Sequence, residues 1–116
     1  MKDTAWVLYN VLMKRVENNT SNFIKFKDFD IIYSVYDDIN TNKQDKSINL
    51  AYYKKGHLLH KTTLCSNILG MNNLFIQNET IKNILMAYIE KALSTLTEKE
   101  ITEIFNSYYG EQAIHV

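Results

Sequence analysis

The chain has no proline, three glycines and one cysteine in 116 residues. Three scattered glycines exclude a glycine-rich phosphate loop, which needs several together so that backbone amides can approach an anion. A lone cysteine, Cys65, forms no internal disulfide, so the fold must rest on its core, as expected of a protein in a reducing cytoplasm. No run of about 18 apolar residues occurs, so the sequence predicts no membrane span and no membrane partner. The opening Met1-Lys2-Asp3-Thr4-Ala5-Trp6 has no cationic region leading into an apolar stretch, so no secretory signal is expected. The glycosylation patterns at Asn18-Asn19-Thr20 and Asn78-Glu79-Thr80 are then idle. The absence of proline goes with an abundance of Asn, Lys and Ile, a bias expected of an AT-rich bacterial or phage genome.

Net charge is also missing: 13 basic residues balance 13 acidic ones. The balance is global and not local. Residues 42–66 hold Lys43, Lys46, Lys54, Lys55 and Lys61 against Asp45 alone, a local +4. Residues 1–41 hold five cations and six acids, and residues 67–116 hold three and six. A basic middle between acidic flanks suits an anionic partner and repels it at the ends.

What is present is an ordinary globular composition, 46% hydrophobic and 22% charged. Residues 1–116 are expected to form one domain, long enough to bury a core without staples. The predicted class is α+β and helix-dominated: N-terminal helices, a small central β-hairpin and a C-terminal antiparallel helical hairpin. An all-α fold is the alternative.

A first helix is predicted over Thr4 to Glu17, capped by Asp3 or Thr4. Trp6, Val7, Leu8, Val11, Leu12, Met13 and Val16 make it apolar around most of its circumference, which places it centrally. Asn18 to Asn22 is a polar loop. Phe23 to Lys27 reads equally as a short strand or as a lead-in. From Asp28, Phe29, Ile32, Tyr36 and Ile39 recur at helical spacing and predict a second helix. Asn40 to Asp45 is a polar loop. Ile48, Leu50 and Tyr52 then alternate with Asn49, Ala51 and Tyr53. Lys54-Lys55-Gly56 turns the chain into His57–Thr63, a hairpin. Ile48, Ala51, Tyr52, Lys55, Leu58 and Leu59 also fit a helix, which is the all-α alternative.

Asn78 caps a predicted helix carrying Ile81, Ile84, Leu85, Tyr88, Ala92 and Leu93 on one face. Thr97-Glu98-Lys99-Glu100 is a capping box opening another, with Ile101, Ile104, Phe105 and Tyr108 as its stripe and Gly110 as its terminator.

Three clusters bear on function. Tyr52, Tyr53, Lys54, Lys55, His57 and Lys61 join aromatic and basic residues and form the predicted partner-binding surface, suited to an acidic protein. The tyrosines, eight in all, exceed what a core of this size needs and are amphipathic. The second cluster runs from Thr63 to Ile76 and has the rhythm of a helix-turn-helix, with Ser66 four residues before Gly70. It would present Asn72, Asn73, Gln77 and Lys82 to a major groove. Glu79 falls where that motif buries an apolar residue, and no Lys or Arg precedes Lys82. The third is His57 and His60, which fall short of the three protein ligands zinc requires and should lie on opposite faces if strand-borne. His115 and Cys65 join them only by accident of fold.

No nucleophile–base pair or paired catalytic carboxylate is legible; Asp28-Asp30 and Asp37-Asp38 read as a cap and a solvated face. The expectation is a non-enzymatic protein-binding module without cofactor or metal. It would act as an inhibitor, immunity protein or antitoxin, or phage-type antagonist that occludes a partner surface. The alternative is a helix-turn-helix transcriptional regulator bound to nucleic acid.

Overall fold

A computed structural model describes residues 1–37, 46–65 and 79–113. In chain order these form α1 (Lys2–Glu17), β1 (Phe23–Phe26), β2 (Phe29–Asp37), β3 (Lys46–Lys54), β4 (His57–Cys65), α2 (Glu79–Leu93) and α3 (Glu98–Ala113). The strands form one antiparallel meander in the order β1-β2-β3-β4. The fold is α+β and helix-rich, which removes the all-α alternative.

Burial alternates along the strands. Ile24, Phe29, Ile31, Tyr33, Ile48, Leu50 and Tyr52 are each at most 5% exposed and share a core with the helices. Their neighbours Phe23, Asp30, Ile32, Ser34, Asn49, Ala51 and Tyr53 are exposed or half-buried on the other face. The described helices therefore cover one face of the sheet.

The segment from Asp28 is a strand and not the predicted second helix. Phe29, Ile31 and Tyr33 carry a period of two, and it wins over the spacing of Phe29, Ile32 and Tyr36. Every position from Phe29 to Asp37 pairs in register with β3, from Phe29↔Lys54 to Asp37↔Lys46. Phe23–Phe26 resolves as strand by pairing with β2 across a two-residue turn at Lys27-Asp28. Ile39 lies outside the described residues, as do the predicted loop 40–45 and the Asn78 cap.

The central hairpin forms as expected. Its loop is Lys55-Gly56, with φ of 53° and 76°. Two positive φ values in succession match the right-handed twist of the flanking strands, and glycine takes the second without a Cβ penalty.

Helix α1 starts at Lys2, so Asp3 sits in the first turn and Thr4 is buried inside the helix; neither is the cap. Its central position is as expected: residues from Thr4 to Met13 pack towards the core and the flanking helices. Helices α2 and α3 follow one another across a short link, but each packs on α1 rather than along the other, so the predicted antiparallel pairing of the two is replaced by a shared contact with α1. The Thr97 N–H donates to Glu100 Oε1 at 3.0 Å and the Glu100 N–H to Thr97 Oγ1 at 3.2 Å, a complete capping box. Gly110 does not end α3, which continues to Ala113. Glu111 and Gln112 in that last turn bond back to α1, to Arg15 and Asn10, and this anchorage carries the helix past the glycine.

Two outcomes follow. Ile31→Ala removes a side chain that is 1% exposed and should cost about 2–5 kcal/mol in urea denaturation. Ile32→Ala, half-buried on the opposite face, should cost less than about 1.5 kcal/mol; equal losses would contradict the strand. The Glu100 carboxylate is held below its ordinary value of 4.5, first by the Thr97 backbone N–H and then by the Thr97 hydroxyl. Its contribution is whole above that ordinary value and is lost as pH falls through the depressed one. Glu100→Gln should therefore flatten the acid limb of the stability profile, and an unchanged limb would contradict the box.

Candidate protein-interaction surface

The predicted surface divides once it is placed on the hairpin. Tyr52 lies on the covered face, 5% exposed. Its ring stacks on His60 at 5.7 Å and meets Tyr88 of α2 edge-on at 5.5 Å. It is a core residue, because the strand period turns every second side chain inward, and it offers a partner almost nothing. Lys54 is also engaged internally: its ammonium donates to the Thr95 carbonyl at 3.3 Å and lies 3.9 Å from Glu100. It holds the hairpin against the α2–α3 link.

Tyr53, Lys55, His57 and Lys61 remain at the surface, Tyr53 half-buried and the others exposed. The Lys55 N–H donates to the Asp28 carbonyl at 2.8 Å, so the two hairpin turns sit side by side. Among the described residues no carboxylate forms an ion pair with Lys55 or Lys61.

A β-bulge alters what β4 presents. Tyr52 pairs with His60 and Tyr53 with Leu58, which leaves Leu59 as an extra residue. Leu58 and Leu59 are consequently both open to solvent, 46% and 47% exposed. Reading β4 as a strict alternation hides this, since one of two adjacent leucines should then be buried. The extra residue also corrects the expected placement of the histidines. His57 pairs with Lys54 and His60 with Tyr52, two positions apart on β3, so both sit on one face. Among the described residues no group of three or more His, Cys, Asp or Glu side chains is placed to hold a metal.

On the uncovered face the register builds rows across the sheet. Phe23, Ile32, Ala51 and Lys61 form one; Lys25, Asp30, Tyr53 and Leu58 form the next. An open groove on this face is lined by Ile32, Ser34, Asn49, Ala51, Tyr53 and Lys61. Apolar side chains thus lie beside cations at the β4 end, with Lys25 standing opposite Asp30.

Beneath the hairpin, the Tyr88 hydroxyl lies 3.1 Å from His60 Nδ1 and 3.4 Å from the His60 carbonyl. With a proton on Nδ1 the ring donates to the phenol and the phenol donates to the carbonyl. With Nδ1 bare, the phenol donates to it. Burial, and then the neighbouring Tyr52, push the Tyr88 phenol up to about 12.

Of the residues that the DNA-reading alternative would turn to a major groove, Lys82 alone lies among the described ones. Thr63, Leu64 and Cys65 end β4, so no first helix starts at Thr63. Asn72, Asn73 and Gln77 lie outside the described residues. Lys82 is on α2, its ammonium 4.5 Å above the Trp6 ring and 3.9 Å from Glu79. Among the described residues no helix is long and apolar enough to cross a membrane. Compared with protein-family models, curated proteins and solved structures, the chain matches none.

Tyr33, like Tyr88, is raised to about 12, by burial and then by Tyr9. Stability contributed by these neutral phenols is whole below the ordinary value of 10.0 and is lost as pH rises towards 12. The Tyr9 phenol is raised as well, by burial and then by Glu79. Phenolate absorbance during alkaline titration should therefore show Tyr9, Tyr33 and Tyr88 ionising late, and Tyr88→Phe should remove one of the three. Ionisation of Tyr33 and Tyr88 at the ordinary value of 10.0 would contradict the packing.

Proposed function

We propose that the chain is a non-enzymatic protein-binding module. It works by occupying a partner's surface, as an inhibitor, an immunity protein or a phage-type antagonist does. The observation that carries this reading is the pairing of exposed Leu58 and Leu59 with Lys55 and Lys61, cations that no described carboxylate neutralises. Apolar area removed from water contributes about 25 cal/mol per Å². Two adjacent leucines left open on a folded strand therefore represent binding energy unused in the free chain. Cations at the rim of such a patch act mainly on encounter and on choice of partner. The partner surface is acidic around Lys55 and Lys61 and apolar against Leu58, Leu59 and Tyr53. Tyr52 and Lys54 take no part, since their contacts lie within the domain.

The test begins with capture of a stoichiometric protein by the tagged chain in the presence of nuclease. Lys55→Glu with Lys61→Glu should then slow association with that protein about tenfold or more at low salt, with the gap closing as salt is added. Leu58→Ser with Leu59→Ser should raise the dissociation rate. Unchanged rates in both variants would place the binding surface elsewhere. Loss of the captured protein on nuclease treatment would favour the nucleic-acid reading.

A further inference from the structure

Strand β4 is the last of the described strands in the sheet and is nine residues long. Among the described residues no strand lies beyond it, and no backbone–backbone hydrogen bond outside the β3–β4 ladder reaches its main chain. The one described side-chain contact to that main chain is the Tyr88 hydroxyl at the His60 carbonyl. An edge strand presents N–H and C=O groups on alternate residues, ready to pair with another extended chain. Past the bulge, His60–Cys65 runs in unbroken register with β3, from Tyr52↔His60 to Ser47↔Cys65. That is a regular edge of about six residues, the usual length of one strand.

Its charge has one sign. From His57 to Cys65 there are one lysine and two histidines and no carboxylate. A second copy of β4 laid alongside would bring a second lysine and no carboxylate, so charge works against self-pairing. An acidic strand meets the opposite situation. The two faces also differ. Lys61 and Thr63 are exposed on the uncovered face, whereas Thr62 and Leu64 are half-buried on the core side.

We propose that the His60–Cys65 edge binds an extended segment of the partner protein in which acidic and apolar residues alternate, added as a fifth strand. Its carboxylates lie beside Lys61 on the uncovered face and its apolar side chains lie beside Leu64 on the core side. Leu58 and Leu59, displaced outward by the bulge, stop the pairing at one end and give the segment an apolar anchor. Main-chain hydrogen bonds supply affinity and the alternating side chains supply selection, as in other strand additions. The inference rests on the protein-binding reading and specifies how that partner is held.

The probe is a panel of capped peptides of about six residues, alternating glutamate with valine, isoleucine or leucine, titrated onto the full chain and followed by amide hydrogen exchange. Slowed exchange at alternate β4 residues is expected, with about tenfold weaker binding to Lys61→Glu and a smaller loss in Lys61→Met. Methylating one alternate set of peptide nitrogens should abolish binding, while methylating the other set should leave it intact, because one set faces the edge. Lysine-containing peptides of the same pattern should not bind. Protection confined to other strands, equal effects of the two methylation sets, or no protection by any peptide at millimolar concentration overturns the proposal. Concentration-dependent dimerisation that protects β4 overturns it in favour of a second copy, and protection by oligothymidylate in favour of nucleic acid. If the panel fails while a captured protein still responds to Lys55→Glu with Lys61→Glu, the edge proposal alone falls. If that protein is also indifferent, both readings fall.

Discussion

Val7 and Met13 of α1 are 3% and 4% exposed, and between them Leu8, Val11 and Leu12 are at most 1% exposed. At 3.6 residues per turn these buried positions span about 240° of the helix. No single flat partner can cover so wide an arc. The sheet supplies one wall through Ile24, Phe29, Ile31, Tyr33, Ile48 and Leu50, and α2 and α3 supply the other. Only a narrow stripe of α1 containing Trp6 and Glu17 stays open. The layering of the described domain follows from that demand. A helix apolar on most sides must lie between layers, and the three helices are drawn to one face of the sheet.

Polar contacts then fix the layers in one relative position, and Arg15 is central among them. Its Nε and Nη2 donate to the two Glu111 oxygens at 2.6 Å each, and its Nη1 donates to the Phe23 carbonyl at 3.0 Å. The guanidinium also lies 5.2 Å from the centre of the Tyr108 ring, and the Tyr108 hydroxyl donates to the Lys25 carbonyl. One planar fork thus joins the end of α1, the end of α3 and the start of β1. Lysine could not replace it, since the bidentate pair and the ring contact both need a flat, multiply donating group. At the other end of the sheet Lys27–Glu103 and Lys54–Glu100 tie the two hairpin turns to α3. These pairs are partly solvated, so they contribute more to register than to free energy.

Much of this architecture can be read in the residues. The capping box at Thr97 and Glu100, the stripes of α2 and α3, and Gly56 in the β3–β4 turn are local signals, and local physics settles them. Two features escaped because they are not local. In β2 the helical spacing of Phe29, Ile32 and Tyr36 coexists with the alternation of Phe29, Ile31 and Tyr33. The pairing of β2 with β1 and β3 decides between them, and pairing across loops leaves no mark on a nine-residue segment. The bulge at Leu59 is equally invisible, yet it moves His57 onto the face of His60 and sends two leucines into solvent. Of the predicted surface, Lys55, His57 and Lys61 emerged exposed and Tyr53 half so. Tyr52 and Lys54 turned inward on the strand period that the same alternation had already implied.

The features that make β4 a candidate docking edge are also those that keep an edge strand solitary. A bulge and a lysine both discourage a sheet from pairing with copies of itself. The guard is asymmetric, however. Lys61 repels another β4, which brings a lysine and no carboxylate, while it attracts a strand carrying an acid at the same position. The bulge limits how far pairing can run without closing the regular stretch beyond it. A protective role accounts for the charge and the bulge. It does not account for Leu58 and Leu59 at nearly half exposure beside them, because exposed leucines on an edge raise the risk that the other two features lower. Selective recognition accounts for all three: apolar surface for affinity, one sign of charge for choice, and a fixed end for register.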